Sequence, residues 1–396
     1  MGFGSIKMVS KNKPMLNNIK IKIAKYFKST NSTLSSKEIK EIDNLEIINE
    51  IKELNKVNTI IENIKIPNKN IVLFGLGGSS LSLKTIVESL NYKNNLYIVD
   101  NLDGQTFNHV FNEIKIKSSV FVFVSKSGET FEIIKLLKET IKKIKKNNLT
   151  LKSSLLFITE NNNGYLNKFG IREKIPTFYI NRNIGGRFSA LTKSTLIPCE
   201  LLDINWKKII SGAIKTYQIL VSNKFQTIDL LADFHYKNLK KNKVNSGLIC
   251  YKDNLNCFGE WFMQLWGESL GKTAKNGKAT GLTPTKYIGP KDQHSQMQLI
   301  LEGSKDKTLM VISVKKNKNS NNILNNSVIK EKEATIKALK IKKIPYVELE
   351  LESLNEETLG SLFIIFHLLT IRLAKKMKVN PFDQPAVELI KRNLKS

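Results

Sequence analysis

The stretch "FVFVSKSGETFEIIKLL" (residues 121–137) ends an apolar run abruptly, inserts Ser125, Lys126, Ser127, Gly128, Glu129 and Thr130, and then resumes at helical spacing. A continuous Val/Phe run flanked by turn residues suits a strand that is buried on both faces. The same punctuation occurs one unit earlier, where "NIVLFGLGG" (70–78) runs into "SSLSLKTIVESL" (79–90). Working outward, "NLYIVD" (95–100), "SSLLFITE" (153–160) and "TFYI" (177–180) add strands, with helical periodicity between them. A second series follows from about residue 215: strand "SGLICY" (246–251), helix "FGEWFMQLWGESLGK" (258–272), strands "TLMVISV" (308–314) and "PYVELEL" (345–351), and a long apolar helix from about 355 to 378. Alternating strands and helices predict an α/β protein of two doubly wound α/β sandwich domains with mainly parallel sheets. The expected boundaries are an N-terminal arm and helix over 1–45, a first domain over 46–205 and a second over 206–396. Residues 1–30 read as a polar, lysine-rich surface arm, and Ser35 with Glu38 has capping-box spacing at a helix start. Sites in such sheets lie beyond the carboxyl ends of the strands.

The composition narrows the classes of function. A length of 396 residues favours two domains over one core. Three cysteines, Cys199, Cys250 and Cys257, offer neither an even disulfide framework nor a C-x-x-C pair, which predicts a reducing, cytoplasmic setting. The run "LGSLFIIFHLLTI" (359–371) is shorter than a bilayer span and contains His367, so it reads as a buried core helix. The N-terminus lacks the apolar core of a secretory signal. A net charge of +28 invites a nucleic-acid reading, but the lysines are spread among isoleucines and asparagines along the whole chain. Runs such as "KKIKKNN" (142–148) and "KKNKNSNN" (315–322) suit helix ends and loops, and no nucleic-acid-binding motif accompanies them. Neither nucleic acid nor membrane is expected as a partner, although a basic surface favours encounter with small anions.

Several polar clusters sit where chemistry belongs. Gly75 and Gly77 lack the third glycine of a dinucleotide fingerprint, since position 80 is serine. With Ser79 at a helix start, this loop reads either as a tight turn or as a seat for an anion or sugar hydroxyls. In "SKSGET" (125–130), the hydroxyls of Ser125, Ser127 and Thr130, the Lys126 cation and the helix N-terminus suit a monophosphate, or a plain capped turn. Glu129 would repel a dianion unless it turns away. "GGRFS" (185–189) offers Arg187 as a planar fork for an anion or oxyanion. On "EWFMQLWGESLGK" (260–272), Glu260, Gln264 and Glu268 are four apart on one helix face, and a glutamate beside aromatics is a candidate general base. His294 lies in the polar loop "GPKDQHSQMQLILEG" (289–303) with no ligand-spaced partner, so no metal is expected. "NPFDQPAVELIK" (380–391) sets Gln384 and Lys391 seven apart on a terminal helix. Each cluster also has an ordinary reading as a cap, a salt bridge or a solvated face.

In their joint order, "GGSS", "SKSGET", "GGRFS", "QLWGES", "DQHSQ" and "NPFDQPAVELIK" resemble the glucose-6-phosphate isomerase family over about residues 70–391. The resemblance implies two sugar-isomerase domains, no metal or cofactor, a hexose 6-phosphate substrate and a homodimer. It further implies that Ser125, Lys126, Ser127, Thr130 and Ser79 bind the sugar phosphate, and that Gln264 orients the substrate. Glu268 is implied as the base between C2 and C1, and Arg187 as the cation beside the enediolate. His294 is implied as a ring-opening acid–base group that reaches in from the partner subunit. Lys391 and Gln384 are implied to assist ring opening and to hold the substrate. The alternatives within this reading are an enzyme that also accepts mannose 6-phosphate, the isomerase part of an amino-sugar synthase, and a sugar-phosphate sensor without turnover.

Overall fold

A computed structural model describes residues 15–23, 33–61, 70–92, 95–315 and 322–394. Most of the N-terminal arm, the middle of the polar run at 315–322 and the side chain of Lys391 therefore lie outside the described residues. The strands in chain order are β1 (Met15–Leu16), β2 (Ile19–Ile23), β3 (Asn70–Phe74), β4 (Leu96–Val99), β5 (Ser119–Val124), β6 (Leu155–Thr159) and β7 (Thr177–Tyr179). They continue with β8 (Asn245–Cys250), β9 (Lys272–Thr273), β10 (Ala279–Thr280), β11 (Thr283–Ile288), β12 (Lys307–Val314) and β13 (Tyr346–Leu351). Five of them form a parallel sheet in the order β4-β3-β5-β6-β7. A second sheet runs β1-β2-β13-β12-β8-β11, parallel among β13, β12, β8 and β11. β9 and β10 make a separate hairpin.

The strand sequences account for these positions. All six residues of β5, "SVFVFV", are buried, as a central strand covered on both faces requires. Along β3, Ile71 and Leu73 face a core shared with the second sheet. Val72 and Phe74 face an outer layer that includes Phe107, Phe111, Phe121, Phe123 and Phe157. β13, "YVELEL", instead alternates: Val347, Leu349 and Leu351 turn inward. Glu348 and Glu350 face Lys22 and Lys332. Its neighbour β2, "IKIKI", carries the matching lysines and pairs antiparallel along this edge. The part of the arm that is described is thus a strand hairpin of the second sheet.

Helix Glu356–Met377 runs through the shared core, packed on helices Trp206–Ser222, Gln226–Leu239 and Asn256–Leu270. It has 22 residues and, among the described residues, is the one helix long and apolar enough to cross a membrane, yet its apolar stretch is mostly buried in the fold. His367 sits in its middle at 0% exposure, and burial pushes its pKa down to about 3, so the ring is neutral. Ser35 and Glu38 form the capping box that their spacing predicts, opening helix Ser36–Asp43.

Candidate active site

The tip of β5 is built by its own side chains. Ser125 is buried, and its hydroxyl lies 2.7 Å from that of Thr130. Thr130 is the cap residue of helix Phe131–Lys146 but makes no side-chain cap bond, so the first N–H groups of that helix are left without one. The Ser127 hydroxyl accepts from Glu129 N at 3.1 Å. Gly128 has φ +68°, and a Cβ there would lie 3.1 Å from Thr159 Oγ1. This left-handed step lets the loop fold back onto β6. The Lys126 ammonium lies 3.7 Å from Glu160. Glu129 turns away from the loop and accepts from Tyr165 N at 2.7 Å, at the N-terminus of helix Tyr165–Glu173. A neighbouring helix dipole thus holds the one carboxylate in the loop that would oppose an anion.

The tip of β3 meets the segment Gly186–Leu191 at close range. A Cβ on Gly78 would lie 2.0 Å from the Gly186 carbonyl oxygen, so only glycine allows this approach. Ser189 Oγ donates to the Gly78 carbonyl at 3.1 Å. Gln264 brings its amide against Gly77 from helix Asn256–Leu270. Ser79 and Lys126 face a common cavity that Gly186, Ser189, Thr192 and Glu50 also line. Glu50 is buried, accepts from Lys193 N at 2.8 Å, and has its pKa raised by that burial.

Arg187 is the centre of the polar network and is 2% exposed. Its Nη1 donates to Glu268 Oε2 at 3.1 Å and to Gln384 Oε1 at 3.0 Å. Its Nε donates to Ser269 Oγ at 2.9 Å and to the Pro381 carbonyl at 3.2 Å. Its Nη2 reaches the carbonyls of Pro381 and, at 2.8 Å, Asp383. Burial pulls the guanidinium pKa down, and the Glu268 and Asp383 carboxylates oppose that shift. Gln264 Nε2 donates to the other Glu268 oxygen at 2.8 Å, while Gln264 Oε1 is buried without a partner among the described residues. The chain thereby joins Arg187, Gln264, Glu268 and Gln384 in one hydrogen-bonded group.

Other sequence candidates stand apart from that group. His294 is exposed at the end of the short helical turn Lys291–His294, just past β11. Among the described residues, no hydrogen bond or ion pair joins it to Arg187, Glu268 or Gln384. Lys391 falls on helix Pro385–Asn393, and its side chain lies outside the described residues. Glu260 pairs with Lys286 at 2.5 Å on the same helix that carries Glu268. Ser269, Glu50, Lys272 and Asp383 also take part, without a sequence signal of their own. Ser269 and Lys272 lie inside the quoted helix motif, whereas Glu50 sits on a distant helix that no pattern links to the cavity. Among the described residues, no three His, Cys, Asp or Glu side chains cluster to hold a metal.

Two mainly parallel sheets, with a polar group beyond the strand ends of the first sheet that helix Asn256–Leu270 and residues 381–384 complete, define an α/β protein of the sugar-isomerase fold. The chain belongs to the phosphoglucose isomerase family, whose model matches residues 36–345. It is 35% identical over 349 residues to the glucose-6-phosphate isomerase of Campylobacter jejuni, covering 83% of this chain and 85% of that one. It is also 32% identical to the enzyme of the same name from Methanocaldococcus jannaschii, covering 81% and 82%. A hypothetical protein from Thermus thermophilus superposes with a TM-score of 0.76 at 26% identity, over 88% of this chain and 87% of that one. A glucose-6-phosphate isomerase from Chlamydia trachomatis shares the fold, with a TM-score of 0.73 at 19% identity over 93% and 75%.

Proposed function

We propose that the protein interconverts glucose 6-phosphate and fructose 6-phosphate by opening the sugar ring and moving a proton between C2 and C1 through an enediolate. The observation that carries this reading is the Arg187–Glu268 pair, backed by Gln264 and Gln384, with the neighbouring Gly186 lining the cavity that Ser79 and Lys126 face. Family membership and the activity named for its relatives support it.

In this reading Glu268 takes the proton from the substrate carbon. As it does so, its negative charge passes to the sugar oxygens, and Arg187, already paired with Glu268, stabilises that charge where it arrives. A buried cation fixed before the reaction needs little rearrangement to do this. Gln264 Oε1 is an acceptor for a substrate hydroxyl, and Gln384, bonded to Arg187, helps to hold the substrate. Ser79, Ser125, Lys126, Ser127 and Thr130 bind the phosphate with the uncapped N-terminus of helix Phe131–Lys146. Phosphate binding far from C1 and C2 supplies energy that orients the reacting carbons. His294 and Lys391 serve ring opening, with His294 supplied by the second subunit of a homodimer. The exposed position of His294 on its own chain is compatible with that role. The working units are residues 46–205 and 206–396, with the strand hairpin of the leading 1–45 completing the sheet of the second, and the setting is cytoplasmic.

The test is direct: purified protein given fructose 6-phosphate in the presence of EDTA is expected to form glucose 6-phosphate. Folded protein that binds the sugar phosphate without turnover would point instead to a sensor.

A further inference from the structure

Three of the acceptors around Arg187 come from one short segment: the carbonyls of Pro381 and Asp383, and Gln384 Oε1. A buried guanidinium needs its acceptors in place, because misplaced ones leave charge uncompensated in a low-dielectric site. What holds residues 380–384 there is therefore a question about the reaction centre. Asn380 bonds Asp383 Oδ2 at 3.1 Å and accepts from Phe382 N at 3.0 Å, which shapes the segment without anchoring it. Phe382 is 44% exposed and rests on Phe188 with ring centres 5.3 Å apart. Among the described residues, the side-chain hydrogen bonds joining 380–384 to the rest of the chain come from two cations, Arg187 and Lys272.

Lys272 is built as an anchor. Its side chain is 7% exposed, whereas that of Asp383 is 50% exposed. Its ammonium donates to Asp383 Oδ1 at 2.5 Å and also to the Asp383 carbonyl. The Asp383 carbonyl thus accepts from both cations. The Lys272 backbone is fixed in the β9–β10 hairpin, opposite Thr280, two residues beyond the end of the helix that carries Glu268.

We propose that Lys272 and Asp383 are a positioning pair: the buried ammonium locks the 381–384 segment so that its acceptors orient Arg187 against Glu268. The pair touches no reacting atom and acts through Arg187. The inference rests on reading Arg187 and Glu268 as the isomerase centre.

Asp383→Asn keeps the shape and the main-chain carbonyl and removes the charge; Lys272→Met removes the anchor. Each is expected to lower kcat by about 10- to 100-fold, the scale of a small misplacement at a reacting centre. KM for fructose 6-phosphate and inhibition by inorganic phosphate should stay near wild type. The double variant should be no slower than the slower single one, because the two residues act as a unit. Asp383→Glu should recover part of the lost kcat. Thermal melting is measured throughout, and Asp383→Asn, at a half-exposed position, carries the test if Lys272→Met folds poorly. Wild-type kcat in Asp383→Asn, losses that multiply in the double variant, or losses that track the unfolded fraction would each overturn the pairing. An inactive wild type in the same assay would instead overturn the isomerase reading.

Discussion

Arg187 and Glu268 face each other at 3.1 Å with one side chain buried and the other a third exposed. That asymmetry suits their proposed roles, since the cation must be fixed while the base must meet a substrate. Glu268→Gln keeps the size and the hydrogen bond to Arg187 but cannot accept a proton. It should lower kcat by about 10²- to 10⁴-fold, the usual contribution of a general base, with phosphate binding intact. Steady-state kinetics with inorganic phosphate as inhibitor checks both parts. At this scale the sequence is legible wherever a motif names a side chain, as "GGRFS" names Arg187 and "QLWGES" names Gln264 and Glu268. It is silent on the Pro381 and Asp383 carbonyls, because every residue carries a main-chain acceptor and only the fold selects two of them. Glu129 looked adverse to an anion in the loop sequence. Its partner, Tyr165 N, is 36 residues away, and no local pattern could supply it.

Among elements, the strands were the most legible, because a strand buried on both faces must read as a continuous apolar run. Helix Glu356–Met377 matches the span of about 355 to 378 read from the sequence, but what ties down its last turns is not legible there. Its last turns carry Arg372, Lys375 and Lys376, which are paired with Glu38, Glu41, Asp229 and Asp233 on other helices. Partners so distant in sequence leave no periodic trace. One of these ties gives a pH dependence. The Arg372 guanidinium, donating to Glu38, lowers the Glu38 pKa from its ordinary 4.5 to about 2. An unfolded chain takes up that proton near 4.5, whereas the folded one resists until about 2. The contribution is therefore complete above 4.5 and is lost as pH falls through 2. Melting curves of wild type and Glu38→Gln should differ at neutral pH and converge by about pH 2. A difference that persists unchanged at pH 2 would assign Glu38 a role other than its ionised tie to helix Glu356–Met377.

For the molecule as a whole, two sheets share one central core, and the Arg187 group joins the segment after β7 to helix Asn256–Leu270 and to residues 381–384. The long alternation of strand and helix made two parallel sheets legible. The pairing of the N-terminal hairpin with the second sheet was not, since it joins residues 19–23 to 347–351 across nearly the whole chain. The closeness of the "GGSS" and "GGRFS" loops likewise depends on the absence of a Cβ at Gly78, which the sequence permits but does not position. The central claim is that a carboxylate moves a proton between two carbons of a phosphorylated sugar, and a solvent-isotope experiment addresses it most directly. Fructose 6-phosphate is turned over in D2O and the glucose 6-phosphate formed is examined by NMR at C2. A proton held on Glu268 between removal and return has time to exchange, so deuterium is expected at C2 in part of the product. Product carrying no deuterium at C2 would indicate direct hydride transfer between the carbons and would contradict the account.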